Sequence, residues 1–162
     1  MFRQMVNESG HGNICGKLMT DIDYTGYTAT ENMIGTVDCP YTGTFDGNGK
    51  SIKLAFNSSE DYAALFRYTS DGGTIGNLIV TGSVKTSKKF GAGLVASAVG
   101  STSILNVIDE VEVNSAQNGD NTAGGIIGIV CDNVSARIRN TGFRGKLIGT
   151  GSKNNGGFVG WA

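Results

Sequence analysis

The residues of this chain that could do chemistry are first of all carboxylates at adjacent or alternate positions: Asp21 with Asp23, Asp46 nearby, and the trio Asp109, Glu110 and Glu112. Two carboxyl groups roughly 5–9.5 Å apart across a groove would serve glycoside hydrolysis. Alternating residues on one strand face reach that separation by accident, so the spacing alone does not make an enzyme. The single histidine, His11, lies in a Gly-rich turn, and a Ser-His-Asp triad or a zinc site would have to be built around it. It reads as a surface turn residue. Asp46-x-Asn48-Gly49 opens like a calcium loop, but Asn57 stands where the twelfth-position Glu is needed. It reads as a tight turn, so no metal and no cofactor is expected. Lys85, Lys88 and Lys89 read as a solvated basic loop.

Binding residues concentrate in irregular segments. Tyr24, Tyr27 and Tyr41 fall in the longest such segment, where exposed rings could stack on sugars and at least one ring is expected in the core. A glycan or a host surface protein is the partner this suggests.

Bulk properties narrow the classes further. A chain of 162 residues is expected to form one domain, burying roughly 70% of its unfolded surface. No apolar run reaches the 18 residues of a membrane span, so no membrane insertion is expected. A net charge of −1 and a pI near 5.7 argue against a general nucleic-acid binder. The three cysteines, Cys15, Cys39 and Cys131, are odd in number and lack CxxC spacing. They read as small buried hydrophobes, with a Cys15–Cys39 bridge as the alternative. Met1 to Met5 lacks the apolar region of a signal peptide, which does not exclude secretion.

The elements that must position these residues follow from periodicity. Phe2, Met5 and Val6 at i, i+3, i+4 before Gly10 predict a short amphipathic helix over 1–9, suited to covering one end of a stack of strands. Lys17 to Asp23 alternates and predicts a strand with Leu18, Thr20 and Ile22 on one face. Gly43 to Lys50 reads as a connection needing positive φ at several places, leading into a strand with Ile52, Leu54 and Phe56 on one face.

From residue 62 a repeat takes over. Ala64-Leu65-Phe66, Gly93-Leu94-Val95, Gly125-Ile126-Ile127 and Gly157-Phe158-Val159 set anchors 29, 32 and 32 residues apart. Ile75-Gly76-Asn77, Ile104-Leu105-Asn106 and Ile138-Arg139-Asn140 follow at 29 and 34. Aligning the asparagines gives apolar or small columns, Leu78/Val107/Thr141, Val80/Asp109/Phe143, Gly82/Val111/Gly145 and Val84/Val113/Leu147, with more polar columns between them. Equivalent strands about 30 residues apart, with no long helical crossover between them, must stack in parallel, about 4.8 Å apart. The predicted fold is all-β: a parallel β-helix (β-solenoid) of about four to five coils with a short N-terminal capping helix. Residues 1–61 would form the cap and first coils and 62–162 the repeats.

Three expectations follow at side-chain level. Asn77, Asn106 and Asn140 should form an amide ladder at a corner. Glu110 should sit beside Arg144 and Glu112 beside Lys146 on adjacent coils, each exposed pair contributing about 0.2–1 kcal/mol. Asp109, a carboxylate in an apolar column, must sit at a bulge or be buried with partners.

The glycine-apolar anchors, the Ile-x-Asn columns and Gly43-Thr44-Phe45-Asp46-Gly47-Asn48-Gly49, preceded by Met5-Val6-Asn7, Lys17-Leu18-Met19-Thr20-Asp21-Ile22-Asp23 and Ile34-Gly35, resemble the GLUG-motif repeats of bacterial surface proteins. The resemblance covers nearly the whole chain and departs from the pattern at Ala64, Asp109 and Thr141. It implies a right-handed parallel β-helix in a secreted or wall-attached, adhesin-like protein. Some relatives of this kind are accessory regions of immunoglobulin A-cleaving metallopeptidases, but this chain has no HExxH. The chain stops after the fourth anchor, which suggests a fragment, or a subunit that associates end to end. The functional expectation is a non-catalytic cell-surface structural or adhesive module. A carbohydrate-active β-helix and a self-assembling fibre subunit are the alternatives.

Overall fold

The structure is a computed structural model that describes residues 1–116, 122–149 and 154–162. One helix, α1 (Phe2–Ser9), precedes the strands β1 (Gly16–Lys17), β2 (Ile22–Asp23), β3 (Thr44–Ser58), β4 (Phe66–Thr69), β5 (Thr74–Thr86), β6 (Val95–Ala98) and β7 (Thr102–Ser115). These are followed by β8 (Thr122–Gly124), β9 (Ile127–Val130), β10 (Ala136–Arg139), β11 (Gly142–Phe143), β12 (Lys146–Gly149), β13 (Asn154–Gly156) and β14 (Val159–Trp161). Every strand pairing among the described residues is parallel. The largest sheet runs β1-β3-β5-β7-β10, with β2 on β3 and β11 and β12 on β7; a second runs β4-β6-β9-β14, and β8 pairs with β13. The chain is therefore a parallel β-solenoid of about five turns.

The register follows the repeat. Ile75 lies beside Ile104 and Ile104 beside Ile138; Val80, Asp109 and Phe143 share a column, as do Val84, Val113 and Leu147. On the opposite wall Phe66, Val95, Ile127 and Val159 share another. Period two along each strand turns these columns inward. Ile52, Leu54, Phe56, Ile75, Leu94 and Ile104 are accordingly buried. Phe158, the anchor that follows Ile126 in the repeat, is 46% exposed.

Several local readings need correction. Lys17 to Asp23 is two short strands separated by a bend, and Thr20 points out while Leu18 and Ile22 turn in. Gly43 to Lys50 is mostly strand. Phe45 is buried, and only Gly47 to Gly49 forms the corner, with Asn48 at φ 52° and Gly49 at φ 71°. The cysteines are free and are not core residues: Cys15 is exposed, and Cys39 and Cys131 are half-buried.

Candidate binding site

Helix α1 lies across the open core of the first coil. Val6 is fully buried, and the Phe2 ring meets Phe45 at 5.4 Å and Tyr41 at 5.9 Å between centroids. Gly16 permits this approach, since a Cβ there would come within 2.6 Å of the Phe2 ring. Asn7 fixes the far end of the helix: its Nδ2 donates to the Met33 carbonyl at 2.9 Å, and its Oδ1 accepts the Gly35 N–H at 2.8 Å. Gly10, at φ 69°, ends the helix in the left-handed conformation that glycine adopts without strain.

The N-terminal half of α1 does not fill the end of the solenoid. Beneath it lies a cavity of about 460 Å³, within the range of ligand sites. Its floor is the apolar interior of the first coils, with Leu18, Ile22, Ile52 and Leu65. Its polar wall carries Arg3, Gln4, Asp23 and Asn32, and the rings of Tyr24 and Tyr27 complete it. Tyr24 is half-buried, edge-on to Phe56 at 5.8 Å and to Tyr27 at 6.0 Å, and burial pushes its phenol above the ordinary range. Tyr27 is 59% exposed. The Tyr27 N–H donates to the Tyr24 carbonyl at 2.7 Å, closing a tight turn that holds the two rings together. The third tyrosine is a correction: Tyr41 is fully buried, its hydroxyl donating to the Ile14 carbonyl at 3.0 Å, and it takes no part in the site.

The carboxylates singled out for hydrolysis are engaged by turns. Asp21 accepts the Ser51 N–H at 2.7 Å and the Ser51 hydroxyl at 3.0 Å. Asp23 accepts the hydroxyl and N–H of Thr25 and lies 3.5 Å from Lys53. Asp46 accepts the Asn77 side-chain N–H and the Asn48 backbone N–H and lies 3.5 Å from Lys17. Donors on the charged form hold all three below the ordinary carboxylate range, chiefly Ser51 for Asp21, Thr25 for Asp23 and Asn77 for Asp46. None is tuned toward a general acid.

The asparagine column forms a chain of bonds. Asn140 Nδ2 donates to Asn106 Oδ1 at 3.3 Å, Asn106 to Asn77 at 3.0 Å, and Asn77 to Asp46 Oδ1 at 3.0 Å. The three asparagines have φ of 55°, 55° and 47°, so their short amides serve both the left-handed corner and the ladder. Asp46, which the sequence alignment left out, ends the chain. A shallow concavity of about 380 Å³ runs beside it, between the amides and Ile79 and Ile108.

The proposed ion pairs are only half realised. Glu112 lies opposite Lys146 in register, and Glu110 is beside Arg144 by the same alignment. Among the described residues, however, the ion pairs within 4.0 Å are Arg3–Glu8, Lys17–Asp46, Lys53–Asp23 and Arg67–Glu60. Long exposed side chains gain little from closing on each other in water and lose rotamer freedom by doing so.

Asp109 is fully buried. β7 pairs with β11 as far as Asp109 and with β12 from Glu112 onward. In the gap between them the Val111 N–H donates to Asp109 Oδ1 at 3.0 Å. Oδ2 has no partner and lies against Gly93, where a Cβ would approach it to 2.1 Å. Burial pushes this carboxyl up to about 8, partly offset by the Val111 bond.

One structural column was missed. Ser58, Thr86 and Ser115 are register partners and buried; the Ser58 and Thr86 hydroxyls accept the Glu60 and Lys88 N–H groups of the turns that follow them, and the Thr86 and Ser115 hydroxyls donate to the Glu60 and Lys88 carbonyls of the preceding coil's turn. Their spacings of 28 and 29 residues carried the signal, two positions beyond the last aligned column. Asp61 and Asp71 likewise accept the Lys89 and Ser101 N–H groups of the next coil. Among the described residues, no three His, Cys, Asp or Glu side chains are grouped to hold a metal ion. Compared with protein-family models, curated proteins and solved structures, the chain matches none.

Proposed function

We propose that this protein is a non-catalytic structural and adhesive module of a bacterial cell surface, and that the cavity beneath α1 binds a glycan. One observation carries the reading: Tyr24 and Tyr27 rim the cavity together with Arg3, Gln4, Asp23 and Asn32. An aromatic ring offers a flat apolar face to the C–H side of a sugar, and amide, guanidinium and carboxylate groups beside it meet the hydroxyls. The resemblance to GLUG-motif repeats supports the extracellular setting and the spacer role. The engagement of Asp21, Asp23 and Asp46 by turn donors supports the non-catalytic reading.

A glycan array probed with the whole chain and with Tyr27→Ala tests it. Tyr27 is mostly exposed, so its removal should leave the melting temperature within a degree or two. Retention of a defined subset of glycans by the wild type, with at least tenfold weaker binding by the variant, is the expected result. No retained glycan, or equal retention by the variant, would overturn the proposal.

A further inference from the structure

The cavity beneath α1 is divided chemically between floor and rim. On the floor, Leu18, Ile22, Ile52 and Leu65 offer no hydrogen-bonding side chain. A sugar hydroxyl pressed onto them would give up its water partners for none, which disfavours binding. A unit bearing only hydroxyls therefore meets the rim and has nothing suited to the space below it.

The charged groups of the rim are already balanced. Arg3 donates to Glu8 at 2.9 Å, while Asp23 accepts from Thr25 and lies 3.5 Å from Lys53. An acidic sugar would have to draw Arg3 away from Glu8, and a cationic one would compete with Lys53 for Asp23. The two neutral amides of the rim are in a different state. The side chains of Gln4 and Asn32 line the cavity, and neither has a hydrogen-bond partner among the described residues. Asn32 is half-buried and held in place by the 3₁₀ turn Thr30–Asn32, its backbone N–H donating to the Ala29 carbonyl at 3.1 Å. Each amide side chain carries both donors and an acceptor.

We infer that the ligand is a neutral glycan whose bound unit carries an acetamido group, as in a 2-acetamido-2-deoxyhexose; this rests on the glycan-binding reading above. The acetamido N–H donates to one of the two side-chain amides, Asn32 or Gln4, and its carbonyl accepts from the other. Its methyl group lies on the apolar floor beside Leu18 and Ile22. The hydroxyls stay at the polar rim, and the C–H face of the ring stacks on Tyr27. A hydroxyl at the same ring position supplies no methyl group for the floor. A free amine there brings a positive charge whose nearest carboxylate, Asp23, is already engaged. Filling a matching apolar slot with one small group changes affinity by about tenfold or more.

The probes are the methyl glycosides of N-acetylglucosamine, N-acetylgalactosamine and N-acetylmannosamine, each set against its parent hexose, its free amine and its uronic acid. They are titrated into the whole chain and followed by saturation-transfer NMR. At least one N-acetyl glycoside should bind about tenfold or more tightly than its three counterparts, with the strongest saturation on the acetyl methyl protons. Asn32→Ala should weaken that binding about fivefold or more and leave the melting temperature unchanged, since its side chain has no protein partner to lose. Tyr27→Ala should weaken the binding of whichever sugar is held, and so reports on the glycan site itself. Tyr27-dependent binding that is equal for the hexose or the uronic acid would overturn the inference and leave the glycan site standing. Insensitivity to Asn32→Ala, or a methyl group less saturated than the ring protons, would do the same. Absence of Tyr27-dependent binding by every sugar would overturn both.

Discussion

Asp109 remains in an apolar column because its carboxyl closes the gap that β11 and β12 leave in the ladder of β7, and Gly93 leaves room for it. The unfolded chain ionises Asp109 near 3.8, whereas the native state keeps the proton until about pH 8. The native state therefore binds more protons, and stability falls as pH rises through that window, by at most about 1.4 kcal/mol per pH unit. Asp21, Asp23 and Asp46 act in the opposite sense. Their lowered values contribute stability above the ordinary carboxylate range that is lost on acidification. The wild-type melting temperature should decline from about pH 5 to pH 8, and Asp109→Asn should flatten that decline; parallel profiles would contradict the assignment. Gly93→Ala should destabilise by about 2–4 kcal/mol, and combining it with Asp109→Ala should recover much of the loss. Simple additivity in that double-mutant cycle, followed by urea unfolding, would remove the contact between the two positions.

Among the elements, the corner strands and α1 set the geometry. At Asn106 two effects coincide, the ladder bonds and a φ of 55°. Asn106→Gly removes only the bonds and should cost about 1 kcal/mol, while Asn106→Ala adds left-handed strain of about 1–2 kcal/mol more. Equal denaturation midpoints for the two variants would show that the corner is not strained. Asn7→Ala should cost about 1–2 kcal/mol by freeing the Met33 carbonyl and the Gly35 N–H. How far the sequence disclosed these elements depended on repetition. The columns through Ile75, Val80 and Val84 recur at the coil period, so their register was legible. The end of the amide ladder was not, because Gly47 to Gly49 inserts a register shift that places Asp46, rather than Asn48, beneath Asn77. Asn48 donates to the Leu18 carbonyl instead. Tyr41 and Tyr27 could not be told apart by sequence because the segment holding them does not repeat. Gly93 was legible as an anchor but not as the neighbour of Asp109, since the two stand on different walls.

For the whole molecule, stacking implies a gradient of stability along the axis. β3, β5 and β7 have a coil on each side, whereas β10, β12 and β14 have one only, so opening at the C-terminal coil removes the least contact. Amide exchange should be slowest in β3, β5 and β7 and fastest in the last coil; uniform protection would argue for a single cooperative unit. The tyrosine-rimmed cavity lies at one end of this axis, and the amide ladder and packed columns make up the walls that lead away from it. The central claim is that glycan binding belongs to this cavity and that the repeating walls are structural. It is tested most directly by mapping amide chemical shifts of the whole chain on titration with the best-retained glycan. The account predicts changes gathered at Arg3, Asp23, Tyr24, Tyr27 and Asn32; changes centred instead on Asn77, Ile79, Asn106 and Ile108 along the amide ladder would contradict it.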